Sequence, residues 1–175
     1  MSASRGLVSS VSWFGTKSKA KASGVDALAS VVREHMPDAD DATVEIVAAI
    51  AGLLGGIAYA DRRVLPEEEQ RLRSELGRIH ALGDAGVDEI CKLLSSHTLA
   101  IATTQAPRYT RALREHADRE LRLEVLDTLV ELAASDGRIT LDEVNVLRNT
   151  ATALGLTQDD YNAAQAKHRD KLGFL

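Results

Sequence analysis

The chain has 175 residues, of which 45% are hydrophobic, 27% charged and only 3% aromatic, and its formal net charge is -5. This length suits one domain with a continuous core, and the dominance of alanine and leucine favours closely packed helices. The negative charge and the scarcity of aromatic residues argue against nucleic-acid binding, which uses a basic face and stacking rings.

The first 24 residues predict a flexible basic tail, and residues 25–175 predict a single helical domain. The tail is rich in serine, glycine, alanine and lysine, and it carries no acidic residue. Aromatic residues stand just ahead of its lysines, a combination that suits contact with an anionic membrane surface or a protein partner. The alternative is a disordered terminus without such a contact. The candidate contact residues are Trp13, Phe14, Lys17, Lys19 and Lys21.

Apolar residues at helical spacing predict eight helices in the domain. Proline and capping residues mark several of their ends. The predicted helices run from about Val25 to Met36, from about Asp41, from Pro66 to about Leu82, from about Val87 through Leu94 toward Ile101, from Pro107, over 118–135, from Thr140 and after Thr157. No segment alternates apolar and polar residues as a strand does, so the sequence predicts an all-α bundle.

The second helix is the most apolar part of the chain, and one of its faces carries almost no side chains. Its small residues are Ala48, Ala49, Ala51, Gly52, Gly55 and Gly56. Such a surface lets a neighbouring backbone approach closely. The apolar segment, residues 44–60, is shorter than the roughly 20 residues of a membrane-spanning helix and contains Glu45, so we interpret it as the buried central helix.

Two features predict a cytoplasmic location. The single cysteine, Cys91, cannot form an internal disulfide, and its apolar helical surroundings predict a core position. The N-terminus also lacks the continuous apolar run of a secretory signal. The tail would place the protein at the inner face of the membrane if it makes the contact described above.

The chain matches itself at an offset of 75 residues. The stretch from Ile50 corresponds to the stretch from Val125, so that each half contains an apolar helix, an acidic turn and a second helix that begins with acids. The matched pairs are Leu54 and Leu129, Ala58 and Ala133, Asp61 and Asp136, Arg63 and Arg138, Glu68 and Glu143, and Leu72 and Leu147. Two such helix-turn-helix units can pack about a pseudo-twofold axis.

The repeated turns, residues 58–69 and 133–143, resemble the paired A-x-x-D-G-x-apolar-x-x-x-E turns of TerB-like domains. The stretch 153–161 resembles the end of these domains, and the similarity covers roughly residues 25–165. The resemblance implies a compact bundle of about seven helices. It further implies a place in bacterial tellurite-resistance or stress-response systems, beside membrane proteins, and a divalent cation at the acidic turns. The first turn departs from the pattern, because Arg62 stands where the motif has glycine.

Asp61, Glu68, Asp136 and Glu143 are the candidate metal ligands. An all-oxygen set without histidine or cysteine suits Ca²⁺ or Mg²⁺. The alternative for the glutamates is structural, because Thr140 and Glu143 have the spacing of a capping box and acids stabilise a helix start. The two aspartates lie near helix C-termini, where either an arginine or a metal would have to offset their charge.

No catalytic motif stands out in the sequence. The five histidines show no HExxH spacing, and there is no Walker A, GxSxG or dinucleotide-binding glycine motif. An EF-hand around Glu143 is excluded because its first and third loop positions would be Leu132 and Ala134, which cannot bind calcium.

We therefore predict a non-catalytic binding or scaffold module whose outer helices contact a protein partner. A second hypothesis is a membrane-peripheral adaptor that attaches through the basic tail, with a membrane-associated partner. A third is a metal-dependent hydrolase that uses the same four acids, which would also need an open coordination position and a pocket.

Overall fold

The computed structural model of the chain describes residues 24–59, 66–96 and 105–171. These residues form eight α-helices and two short 3₁₀ helices, His80–Leu82 and Arg169–Lys171. The α-helices are α1 (Gly24–His35), α2 (Asp41–Ala58), α3 (Pro66–Gly77), α4 (Gly83–Ser96), α5 (Ala106–His116), α6 (Arg119–Ala133), α7 (Leu141–Ala153) and α8 (Gln158–Ala166). The all-α bundle predicted from the sequence is confirmed. The basic tail lies outside the described residues.

The predicted end of the third helix, at Leu82, is wrong. α3 ends at Gly77, and the amides of Arg78 and Ile79 donate to carbonyls three residues back, which tightens the backbone before the 3₁₀ turn. Leu82 is only 2% exposed in that turn, so the apolar periodicity continues although the α-helix has ended. α4 consequently begins at Gly83, four residues ahead of its predicted start at Val87.

α2 is the core helix of the bundle. It packs against α1, α3, α4, α5 and α6. By length and hydropathy it is the one helix in the described segments that would suffice to cross a membrane, yet 61% of it is buried inside the protein. Its position at the centre of the bundle confirms the interpretation of this segment as the buried central helix.

The small residues of α2 allow α5 to lie directly on its backbone. A Cβ atom added at Gly52 would be 2.3 Å from two ring atoms of Tyr109 on α5, and one at Gly55 would be 2.5 Å from Leu94 on α4. Tyr109 is itself 1% exposed, and burial raises its pKa to about 12. Glycine is thus required at these positions because the space of a side chain is already occupied.

The 75-residue offset extends over three helices in each half rather than the two found in the sequence. α2 and α6 end at positions 58 and 133, α3 and α7 begin at 66 and 141, and α4 and α8 begin at 83 and 158. α2 packs against α6, and the equivalent pairs α3 with α4 and α7 with α8 also pack together. The two halves therefore meet through their equivalent apolar helices.

Replacing Gly52 with alanine should destabilise the protein. The new methyl group would overlap the Tyr109 ring, and overpacking of this kind costs about 1–3 kcal/mol. That cost exceeds the gain of up to about 1 kcal/mol that alanine brings to a helix interior. Urea unfolding of the Gly52→Ala variant measures the change in the free energy of unfolding.

Gly77→Ala is the matched control, because a Cβ atom at Gly77 would meet nothing within 4 Å. We expect that variant to be as stable as the wild type or slightly more stable. Equal stability of the two variants would contradict the packing described for α2 and α5.

Candidate functional site

The second acidic turn joins α6 to α7 through one left-handed residue. Gly137 has a φ of 89°, a conformation that glycine adopts without steric cost. The Asp136 carboxylate accepts a hydrogen bond from the backbone amide of Arg138 at 2.9 Å through its Oδ1 atom. Asp136 therefore shapes this turn by bonding to the backbone two residues ahead.

Glu143 takes part in a capping box at the start of α7. Its Oε2 atom accepts from the Thr140 backbone amide at 2.6 Å and from the Thr140 hydroxyl at 2.8 Å. The Thr140 hydroxyl oxygen in turn accepts from the Glu143 amide at 3.3 Å. These bonds satisfy backbone donors that a helix start leaves unpaired, and the capping box predicted from the Thr140–Glu143 spacing is confirmed.

The first acidic turn is described only in part. Asp61, Arg62 and Arg63 lie outside the described residues, as do the tail residues proposed for membrane or partner contact. Glu68 occupies the place in α3 that Glu143 has in α7, and it is buried, with 5% exposure. The two halves of the repeat differ here, because Glu68 is buried whereas the equivalent Glu143 is half-buried.

The described carboxylates do not assemble a metal centre by themselves. Within residues 24–59, 66–96 and 105–171, no three histidine, cysteine or acidic side chains form a group that could hold a metal ion. Glu68, Asp136 and Glu143 are therefore not brought together as ligands. The four-carboxylate site stays a prediction that depends on Asp61.

A buried acid that the sequence did not single out pairs with the arginine that links the two halves. Glu75 on α3 is 8% exposed and pairs with Arg71 at 3.1 Å and with Arg78 at 3.0 Å. Arg71 also contacts the carboxylate of Glu131 on α6. The guanidinium groups offset the cost of burying Glu75, and Arg71 joins α3 to α6 next to the second turn.

A groove of about 900 Å³ runs between α5 and α7. One wall is formed by α5, with Pro107, Arg111 and Arg114, and the other by α7, with Val146 and Ala153. Val146 is 43% exposed although it is a large apolar residue. The groove thus offers apolar surface to solvent between two rows of polar side chains.

The end of the groove near the C-terminus of α7 is basic. Arg122 donates to the Leu154 carbonyl oxygen at 2.7 Å and so caps the last turn of α7. A Cβ atom at Gly155 would lie 3.1 Å from the Arg122 side chain and 3.5 Å from that of Arg114. Among the described residues Arg114 forms no ion pair, whereas Arg111 is paired with Glu115 at 2.8 Å.

Sequence reasoning missed Val146 and Arg114 as candidate binding residues. The repeat contained a signal for the first, because the residue 75 positions before Val146 is Arg71. The two halves of the repeat share polar residues at their exposed positions. Valine at position 146, where the first half has an arginine, departs from that pattern. Arg114 gave no such signal, because an exposed arginine on a helix is ordinary.

Thr140→Ala should lower the free energy of unfolding by about 0.5–2 kcal/mol, because the variant loses the capping hydroxyl at the start of α7. Chemical denaturation measures the difference. Thr152→Ala, on the same helix, is the control, since its hydroxyl bonds only to the Arg148 carbonyl within the helix. A Thr140 variant no less stable than the Thr152 variant would show that the box does not stabilise α7.

Comparison with known proteins agrees with the motif and the fold. The family model described as tellurite resistance protein TerB matches residues 46–166, which include both acidic turns and the helices that follow them. No curated protein and no solved structure gives a significant match. Because the matched region covers more than half of the chain and carries the doubled turn, the chain belongs to the TerB family.

Proposed function

We propose that this protein is a non-catalytic binding module in a bacterial tellurite-resistance or stress-response system, and that it binds its partner in the groove between α5 and α7. The observation that carries the proposal is the exposed apolar surface of that groove. The large apolar residues that are exposed within the described segments are Leu141 and Val146, and both belong to α7. Val146 lies in the groove itself.

The charges around the groove indicate an acidic partner. The side chains of Arg111 and Arg114 line it, while Glu115 is the acid among its lining residues and is already paired with Arg111. Arg114 is thus available to a carboxylate of the partner. We infer that the partner presents a protein segment with apolar side chains flanked by acids, a pattern that matches the groove in both respects.

The groove dimensions suit a protein segment. A volume of about 900 Å³ lies at the upper end of the roughly 300–1,000 Å³ of small-molecule sites, and the groove is open along the two helices rather than enclosed. Peptide segments dock on such helix-lined grooves through a few apolar anchors and a charged rim. Val146 and Pro107 are the larger apolar contacts available here, beside Ala106 and Ala153.

A photo-crosslinking amino acid at position 146, introduced in the cells of origin, should capture one discrete protein. Adding Arg114→Glu should reduce the yield of that adduct roughly tenfold, because a reversed charge at an interface costs on the order of 1.4 kcal/mol or more. The measurement is the amount of the adduct, identified by mass spectrometry.

Two controls separate specific capture from general exposure. The crosslinker at Ala163, which is exposed on α8, should not capture the same protein, and Lys92→Glu, an equal charge reversal on α4, should leave the adduct at position 146 unchanged. The same adduct from both crosslinker positions would rule out the α5–α7 groove as the binding surface.

Cation binding at the paired acidic turns is a second candidate function, which adds to the first. It is supported by the oxygen-only ligand set and by the burial of Glu68, which places a carboxylate inside the protein at the start of α3. The ligands would be Asp61, Glu68, Asp136 and Glu143, and the cation Ca²⁺ or Mg²⁺. A cation there would bridge acids that otherwise repel one another and would fix the relative position of the two turns.

Millimolar Ca²⁺ or Mg²⁺ should raise the melting temperature of the chelator-treated protein by several degrees, because a ligand that binds only the folded state stabilises it. The Asp61→Asn/Asp136→Asn double variant should show no such rise. If both proteins respond equally, or neither does, the turns act as helix ends without a bound cation.

We also propose a cytoplasmic location at the inner face of the membrane, with a partner that is itself membrane-associated. The tail residues Trp13, Phe14, Lys17, Lys19 and Lys21 would provide the attachment in the adaptor alternative. A single basic segment binds a membrane only weakly, so the protein partner would contribute the remaining affinity.

A further inference from the structure

A second groove lies between α2, α3 and α6, on a part of the molecule that the α5–α7 groove does not include. Its floor is apolar, with Leu54 of α2 and Val125 of α6 almost fully buried. Ile50, Ile79 and Leu121 are half-buried along its walls. With a volume of about 240 Å³, this groove has room for one or two side chains rather than for a whole helix.

The rim of this groove carries acids. Glu75 and Glu124 line it, together with Arg78. Arg71 and Arg78 both pair with Glu75, at 3.1 and 3.0 Å, and so compensate its charge. Glu124 is the rim acid that forms no ion pair with any residue in the described ranges. Glu75, and to a smaller extent Glu124 and Glu131, raise the pKa of the Arg78 guanidinium.

The charge of the chain is divided unequally between the tail and the rest. The first 23 residues contain four basic residues and no acid, so they contribute +4 to a total of -5 and leave -9 for the remainder. The same short segment contains the only tryptophan of the chain, Trp13, followed directly by Phe14. An aromatic pair followed by lysines is the complement of an apolar floor beside the unpaired acid Glu124.

We infer that the basic tail docks on its own domain, with the aromatic pair Trp13 and Phe14 in the groove between α2, α3 and α6 and the following lysines beside Glu124. The apolar rings are then buried against the floor formed by Leu54 and Val125, and the lysine ammonium groups lie close to the unpaired carboxylate of Glu124. The docked tail is unavailable to a membrane or another protein, so docking regulates the tail. This inference does not depend on the partner proposed for the α5–α7 groove.

The length of the tail permits this contact. Eleven peptide units separate Trp13 from Gly24, where α1 begins, and an extended chain spans about 3.3–3.6 Å per residue, or roughly 36–40 Å in all. The domain has a radius of gyration of about 15 Å, so a stretch of this length extends over about a third of its circumference. The groove lies on the α1 side of that surface, because α1 contacts the 3₁₀ turn His80–Leu82 and Ile79, directly before this turn, lines the groove. Charge then decides between the grooves, because Arg111 and Arg114 of the α5–α7 groove would repel the tail lysines.

The fluorescence of Trp13 in the full-length chain tests the inference without an added label. A group held in a pocket loses about 70–90% of its exposed surface, so we expect acrylamide to quench Trp13 roughly threefold less in the native chain than in urea. Its emission should also lie to the blue of the emission in urea. Neither value should depend on protein concentration, because the contact is within one molecule.

Charge variants show which surface the tail occupies. Glu124→Lys should increase the quenching of Trp13 toward the value in urea, and replacing Lys17, Lys19 and Lys21 with glutamate should do the same. The tail variant alters no residue of α1–α8, so its effect cannot arise from unfolding of the bundle. A protein that carries both Glu124→Lys and the three lysine-to-glutamate substitutions should regain part of the protection of Trp13 from acrylamide. Glu34→Lys on α1 is the matched control and should leave quenching unchanged.

Three outcomes would overturn the inference. Trp13 quenched equally in native and denatured protein would show that the tail is not docked. Protection that appears only after vesicles of anionic phospholipid are added would assign the tail to a membrane. Protection that is the same in Glu124→Lys and Glu34→Lys would place the tail on another surface.

Discussion

The fold depends on how closely α5 and α2 approach each other. Gly52 leaves the space that the Tyr109 ring fills, and a single methyl group there would lie 2.3 Å from two ring atoms. α2 also packs against α6, the equivalent helix of the other half. The contact between Gly52 and Tyr109 therefore sets where α5 stands relative to both halves of the repeat, and with it one wall of the α5–α7 groove.

From this arrangement the surfaces of the molecule follow in turn. α6 ends at Ala133 and continues through Gly137 into the capped start of α7, which places Val146 opposite α5. On another face, α2, α3 and α6 leave a narrower groove lined in part by Glu75, and the ion pair of Arg71 with Glu131 connects α3 to α6. Among the described residues, the charged side chain that lines the groove without forming an ion pair is Arg114 in the α5–α7 groove and Glu124 in the other. The proposals for a protein partner and for the tail follow from that difference in charge.

Much of the fold was predictable from the sequence because its signals are local. The caps at Thr140 and Thr157 depend on residues three positions apart, and both are present as capping boxes. The repeat was visible in the sequence because most equivalent positions of the two halves lie in similar surroundings and therefore carry similar residues. The end of α3 was not predictable, since Leu82 is buried whether the backbone there is α-helical or 3₁₀.

The site residues were harder to predict because they depend on which helices become neighbours. The pairing of Arg71 with Glu131 joins residues 60 positions apart on two helices, and neither side chain differs in the sequence from an ordinary surface residue. Glu75, with 8% exposure, lies in the groove that α3 and α6 line together, and its burial gave no signal in the sequence either. Periodicity tells which face of a helix is apolar, but not which helix lies against it, so grooves between helices emerge only from the assembled fold.

A double-mutant cycle between Gly52 and Tyr109 measures whether the ring occupies the space that the glycine leaves. Leucine at position 109 lacks the ring atoms that a methyl group on residue 52 would meet, so Gly52→Ala should cost at least about 1 kcal/mol less in the Tyr109→Leu protein than in the wild type. We expect this coupling free energy to appear in urea unfolding of the four proteins of the cycle. An equal cost of Gly52→Ala in both backgrounds would contradict it, because the glycine would then be required for some reason other than the Tyr109 ring.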